Sequence, residues 1–375
     1  MICKKSILDN SYPGIVFDKN GISNIYKESK SVYDFFLDNM SKRKNFFLKT
    51  TINDIKNSKP IGDYNCILGL SGGLDSSYML HKVVNDYGLK PLVFHVDAGW
   101  NSEIAVSNIE KLVDKLNLDL FTEVINWNDV KHLQIAFFKS GVPHIDIPQD
   151  HAFISILYHF AEKYKIKYIL NGGNIFNEVI PMPYKYYYWG TDLRHINEII
   201  KKFSPAIIKN YPFSSVFRHK IYLRIFKSLR VIKPLNFDIY NQFKATELLK
   251  ELYGWKPYGQ KHFESNFTRF YEGYWLPSRF NFDVRKCQLS SLIISNQITR
   301  KDAKEIIKNP PLNKIESLND YNYVVNKLNL SNEEFRQFEN SEKKYYYNYK
   351  NLHHILKPVE KFLKTTRLMV RGGAY

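Results

Sequence analysis

The seven residues Ser71-Gly72-Gly73-Leu74-Asp75-Ser76-Ser77 carry the densest chemical signal in the chain. They follow a short apolar run, YNCILGL at 64–70, and precede Met79, Leu80, Val83, Val84 and Tyr87 at helical spacing. The string therefore reads as a turn between a buried strand and an amphipathic helix. Glycines let the backbone turn sharply, so that successive N–H groups point into one concavity. Those donors, the Ser71 and Ser76 hydroxyls and the positive helix end together make a cradle for pyrophosphate. No Gly-Lys-Ser/Thr ending follows, which excludes the phosphate loop of kinase-like and GTPase-like proteins. A glycine turn with a Ser or Asp cap is the simpler reading. The complete string at a strand–helix junction favours phosphate. Asp75 is a loop carboxylate, and beside phosphate oxygens it makes sense with magnesium or a water between them.

An α/β pattern positions this loop. Apolar runs at 91–97 (PLVFHVD), 120–126 (LFTEVIN) and 167–173 (KYILNGG) predict further strands. Helices are expected at 76–87, 102–116, 128–139 and 150–164. This alternation predicts a parallel, doubly wound sheet, with ligands beyond the carboxyl ends of its strands. The glycine-bearing ends at 70–73, 97–99 and 171–173 are expected to face one crevice. Residues 1–58 read as an N-terminal arm with one helix around 31–47, 59–240 as the sheet domain and 241–375 as a mainly helical region. FRHKIYLRIFKSLRVIKPL (217–235) is basic and amphipathic, with Phe217, Ile221, Ile225 and Leu229 on one face. A packed helix feeding a last strand at 230–235 is preferred to a membrane-surface helix.

Composition narrows the function classes. Lys and Arg total 54 against 37 Asp and Glu, a net charge of +17. The excess is mostly lysine (42 Lys, 12 Arg) in a chain also rich in Asn, Ile, Tyr and Phe, as a nucleotide bias in the gene would produce. No Arg lies between Arg43 and Arg194, so a phosphate site there must use backbone and Lys. Nucleic acid is thus not an expected partner. No apolar run is long enough to span a bilayer, and the first residues are too polar for a signal peptide. Three cysteines, an odd number, make no disulfide framework, and a cytoplasmic location is expected.

The SGGLDSS string resembles the fingerprint of the PP-loop ATP pyrophosphatases, whose fold is of the adenine nucleotide alpha hydrolase-like type. That family cleaves ATP between the α and β phosphates, transfers AMP to a substrate oxygen and lets a nucleophile displace it. The resemblance implies that Ser71, Gly72, Gly73, Asp75, Ser76 and Ser77 hold ATP with magnesium at Asp75. It further implies that His95, Val96 and Asp97 meet the base and ribose, and that Gly172 and Gly173 line the nucleotide site. A narrower resemblance covers nearly the whole chain. PGIVFDKNG (13–21), NGGNIFNE (171–178), KHFESNFTRFYEGYWLP (261–277), FDVRK and LSSLIISNQITRKDA look like the N-acetyl sugar amidotransferases of bacterial surface-polysaccharide, O-antigen and flagellar-sugar biosynthesis.

By that resemblance the enzyme converts an acetamido group on a sugar into an acetamidino group with ATP and ammonia. Lys261 and His262, with Arg285 as a further cation, are expected to stabilise charge spreading over phosphorus. Asn174, Glu178, Glu264, Ser265 and Thr268 are the candidates for the substrate, the carboxylates also for accepting a proton from ammonium. The run Tyr184–Trp189 is read as a stacking platform or as core. Two Cys-x-x-Cys pairs of the relatives correspond here to Cys3, Ser6, Ser23 and Tyr26, so no zinc is expected. Relatives often have Gly where Asn281 stands. Neither Cys3, Cys66 nor Cys287 sits as a glutaminase nucleophile requires, so a separate glutaminase subunit is the expected ammonia source. The competing readings are a tRNA-modifying PP-loop enzyme, disfavoured by the lack of a cysteine pair, and a nucleotide- or nucleic-acid-binding module, which has little need of Asp75.

Overall fold

The computed structural model describes residues 1–58 and 62–358, and of residues 220, 221, 224 and 225 the backbone alone. One sheet holds five strands in the order β3-β2-β1-β4-β5: β1 (Cys66–Gly69), β2 (Pro91–Asp97), β3 (Leu120–Val124), β4 (Tyr168–Leu170) and β5 (Arg230–Ile232). All four pairings are parallel. Alternate β1 residues serve opposite faces: Cys66 and Leu68 join one apolar cluster, Ile67 the other. A parallel sheet needs both faces covered in this way. The chain runs outward from β1 to β2 and β3, then crosses back to place β4 on the other side of β1. The crevice beyond β1 and β4 is therefore the topological switch point, where open α/β sheets bind ligands.

Local chemistry explains the element limits that differ from expectation. The N-terminal helix begins at Asn24, ahead of the expected 31, because the Ser23 hydroxyl accepts the Tyr26 N–H as an N-cap. Short helical segments then carry the arm to Lys56 rather than ending at 47. β5 stops at Ile232, short of 235, since Pro234 has no N–H for the ladder and opens a turn over Pro234–Phe237. On the basic segment, Leu229 is buried but Phe217 is 47% exposed, so these two do not share one packed face. The Ile221 and Ile225 side chains lie outside the described residues.

Beyond 240 the described chain is largely helical, from Gln242–Tyr253 to Asn332–Asn340. Thr299, Asn313 and Ser331 each start a helix through a capping box with Asp302, Glu316 and Glu334. One apolar cluster joins Cys3, Leu8 and Phe36 of the arm to β1 and onward to Trp275, Phe335 and Phe338. The arm is also clipped to the C-terminal region by polar contacts. Arg300 donates to the carbonyls of Cys3 and Ser6 at 2.8 Å, Ile7 N–H to Ser290 Oγ at 3.3 Å, and Lys286 pairs with Asp9 at 2.6 Å. Ser23 N–H donates to Cys3 Sγ at 3.4 Å, so a hydrogen bond ties two of the four positions Cys3, Ser6, Ser23 and Tyr26 together. Asn281 ends the helix Leu276–Phe280 at φ +51°, a left-handed conformation that Asn tolerates, so the turn survives without glycine. No helix among the described residues is long and apolar enough to cross a membrane.

Candidate active site

β1 delivers Leu70 into the core and the backbone then turns at Gly72, whose φ is +78°. A Cβ there would lie 2.4 Å from the Ala105 carbonyl oxygen, so both handedness and close approach require glycine. Trp255 Nε1 and Asn108 Nδ2 both donate to the Gly72 carbonyl and fix the turn from outside. Gly73 caps the helix Leu74–His81 without a side-chain cap of its own. The Ser71 hydroxyl lies 3.1 Å from that of Ser76 and accepts the Gly73 N–H at 3.2 Å, and Tyr258 Oη accepts the Leu74 N–H at 2.8 Å. These hydroxyls hold donors that phosphate oxygens would otherwise take.

The loop opens onto a cavity of about 550 Å³, lined by Ser71, Gly73, Asp75 and Ser76 on one side and Gly172, Gly173 and Glu178 on another. Trp255, Tyr258, Lys261, His262 and Glu264 close it from the C-terminal region. At its centre Lys261 Nζ donates to Asp75 Oδ2 at 2.9 Å and to Glu178 Oε1 at 2.8 Å. Tyr240 Oη donates to Asp75 Oδ1 at 2.5 Å, and Asn177 Nδ2 reaches the same oxygen at 3.3 Å. Burial works against the charge on Glu178, but Lys261 and Lys233 outweigh it and hold its pKa at about 2. Burial likewise opposes the Lys261 ammonium, which Asp75 and Glu178 nonetheless keep protonated, raising its pKa above the ordinary lysine value. His262 sits at φ +70° and its Nδ1 lies 2.8 Å from Glu272 Oε1. Burial disfavours its charged form, yet Glu272 lifts the pKa to about 9. Tyr187 Oη donates to the same Glu272 oxygen at 2.7 Å. Glu264 Oε1 accepts from the Ser71 hydroxyl at 3.3 Å, while its Oε2 is buried without a partner.

Several expected site residues lie elsewhere. The second strand end does not reach the cavity: His95 bridges the Leu70 carbonyl (2.8 Å) and Asn101 (2.9 Å), Val96 packs in the core, and Asp97 accepts the Gly99 N–H at 2.7 Å. A bridge between Asn101 and Ser265 and the bond from Ser102 N–H to the Glu264 carbonyl tie the segment after that end to the C-terminal region. Arg285, expected as the further cation, does not line the cavity; Asp283 and the Asn309 carbonyl hold its guanidinium. Ser77 is wholly buried under the loop and Gly72 shapes the turn without lining the cavity. Asn174 caps the short helix Ile175–Glu178. Ser265 caps Asn266–Phe270, and Thr268 donates to buried Asp146 at 2.6 Å. Tyr186 stacks on Phe282 and Tyr188 on Tyr346, so these two are core, while Tyr184, Tyr187 and Trp189 are half-buried. Cys66 and Cys287 are buried free thiols.

Other residues at the site carry no motif. Lys233 lies just after β5, where the Gly173 Cβ position would meet its Nζ at 3.0 Å. Burial, with Lys261 adding to it against Glu178, lowers its pKa. A lysine ending an apolar run before Pro234 could have marked it, since ligands gather at strand carboxyl ends. Tyr240, Tyr258 and Glu272 gave no signal among 27 Tyr and 37 acidic residues. Among the described residues no three His, Cys, Asp or Glu cluster to hold a metal unaided. Asp75 and the unpartnered Glu264 oxygen nevertheless fit magnesium, which commonly takes one or two carboxylates and completes its shell with phosphates and water.

A five-stranded parallel sheet with SGGLDSS at its switch point defines a doubly wound α/β protein. Residues 264–363 match the family described as LPS biosynthesis protein WbpG-like, C-terminal domain. Similar solved structures include an NMN synthetase from Francisella tularensis, with 14% identity, TM-score 0.30, and coverage of 80% of this chain and 95% of that one. An NH3-dependent NAD synthetase from Campylobacter jejuni, in complex with nitrate, has 19% identity, TM-score 0.29 and coverage of 57% and 82%. An NAD+ synthetase from Burkholderia pseudomallei has 11% identity, TM-score 0.26 and coverage of 61% and 98%. Comparison with the curated proteins found no match.

Proposed function

We propose that this chain is an ATP-dependent amidotransferase that converts the acetamido group of an N-acetyl sugar into an acetamidino group, forming AMP and pyrophosphate, in bacterial surface-polysaccharide biosynthesis. The observation that carries the reading is Lys261 bridging Asp75 and Glu178 opposite the glycine loop, within one cavity at the sheet's switch point. The WbpG-like match over 264–363 supports the pathway. An amide carbonyl is a poor electrophile and its oxygen a poor leaving group. In the proposed step the amide oxygen attacks the α phosphorus and pyrophosphate departs. Ammonia then adds to the activated carbon, a proton leaves the nitrogen, and AMP departs with the former amide oxygen. Ser71, Ser76 and the loop N–H groups orient the leaving pyrophosphate, while Lys261 and protonated His262 face the charge developing on phosphorus. Asp75 and Glu264 would hold magnesium, which would supply neutralisation of the same charge. Glu178, held ionised by two lysines, is suited to orient a sugar hydroxyl or an ammonium proton.

Ammonia comes from a separate glutaminase subunit in this reading, and the buried free thiols suit the cytoplasm. The test is release of AMP and pyrophosphate from ATP against a panel of acetamido sugars and bulk tRNA, with ammonium chloride or glutamine as nitrogen source. The expected result is sugar-dependent turnover with ammonium alone. ADP and phosphate as products, turnover on tRNA alone, or robust glutamine use by the single chain would each overturn its part of the reading.

A further inference from the structure

Residues 199–237 contain nine Lys or Arg and not one Asp or Glu. Within this acid-free stretch large apolar side chains stand in solvent: Ile207 is 78% exposed and Phe226 73%, with Phe213, Phe217 and Tyr222 also exposed. Ile207 and Phe213 line a shallow groove with Ile200, Pro205 and Ile208. Further along, Tyr222 and Phe226 lie side by side with ring centroids 6.2 Å apart, and Lys227 Nζ stands 5.8 Å from the Tyr222 ring. Lys209, Lys227 and Arg230 are exposed among them, and Arg218, also exposed, pairs with Glu162. Buried Leu223 and Leu229 anchor the segment to the body, so these outer residues are held against a folded support.

We propose that residues 205–230 are a docking surface for an anionic lipid bilayer. Two independent features select this occupant. A run of cations without acids is attracted to an anionic surface and needs no single phosphate site. Exposed Phe and Tyr rings beside lysines suit the headgroup–acyl boundary, where apolar rings sink while ammonium groups stay with the headgroups. An acidic protein or polymer would use the cations but would gain little from Phe226 standing free. The surface lies outside the cavity, and the inference does not depend on the adenylation reading.

The experiment is sedimentation of the purified full chain with phosphatidylcholine vesicles, with or without roughly one phosphatidylglycerol in three. Binding is expected only to the anionic vesicles, weakening about tenfold or more between low and high salt as the charges are screened. Tyr222→Ser with Phe226→Ser should weaken binding by about tenfold, because two rings no longer insert. Lys209→Glu with Lys227→Glu should abolish it. Both variants should keep the wild-type melting temperature, since the side chains are exposed. Absence of binding at low salt, equal binding to neutral vesicles, or wild-type binding by folded variants would overturn the proposal.

Discussion

The Ser71 hydroxyl and the Glu264 carboxylate, 193 residues apart in the chain, meet at 3.3 Å inside the glycine loop proposed to cradle pyrophosphate. A carboxylate thus stands in an anion cradle, close enough to Gly73 that a Cβ there would come within 2.4 Å of its Oε1. Burial raises the Glu264 pKa, with His262 working in the opposite direction. Bound polyphosphate must displace, neutralise or share a cation with this group. Without magnesium, Glu264→Gln should therefore tighten pyrophosphate binding on the order of tenfold, about 1.4 kcal/mol. Titration calorimetry checks this, and unchanged or weaker binding would remove Glu264 from the cradle.

Asp75→Asn should lower AMP formation by about 10²–10³-fold, the range found when one polarising group of a reacting centre is removed. The substitution keeps the shape that Tyr240 and Asn177 pack against, so the thermal midpoint should hold. A large loss of stability alongside activity would mean that Asp75 supports the fold instead.

The His262–Glu272 pair makes a pH prediction. A histidine pKa raised to about 9 keeps the imidazolium through neutrality, and the charge is lost as pH rises through that value. In kcat/KM the alkaline limb should fall near 9. Its contribution to folding is present in full below the unfolded value of about 6.5 and disappears over the same rise. Glu272→Gln should move the activity limb toward neutral pH. A limb that stays in place in the variant would assign it to another group.

Gly72→Ala should destabilise the protein by at least about 1–2 kcal/mol, the cost of left-handed backbone for a residue with a Cβ, before the approach to Ala105 is counted. Loss of ATP binding should accompany it. Denaturant unfolding and nucleotide titration on the same preparation would read both effects, and wild-type values in both would contradict the geometry.

Much of the framework was legible because it rests on local pattern. The run 91–97 became β2 with those limits, and the glycine loop fell between β1 and its helix as apolar spacing implies. Side chains that meet through the fold were legible only in part. Lys261 lies 186 residues from Asp75 and was flagged by resemblance, whereas Tyr240, still closer to that carboxylate, looked like any other tyrosine. Arg285 was flagged by resemblance too, but a cation in such a stretch reveals nothing of Asp283 two residues earlier turning back to pair with it. His95 and Asp97 misled for a related reason: the Asn101–Ser265 bridge just after their strand end joins segments 164 positions apart by numbering.

The clip between Arg300 and the carbonyls of Cys3 and Ser6 has a consequence for biosynthesis. Cys3 and Ser6 are translated nearly 300 positions ahead of this partner, roughly 15–60 s at ordinary elongation rates. Leu8 and Phe36 lack Trp275, Phe335 and Phe338 of their apolar cluster through most of that interval. Chaperone demand during translation, rather than the stability of the finished molecule, should then limit the yield of this chain in a foreign host.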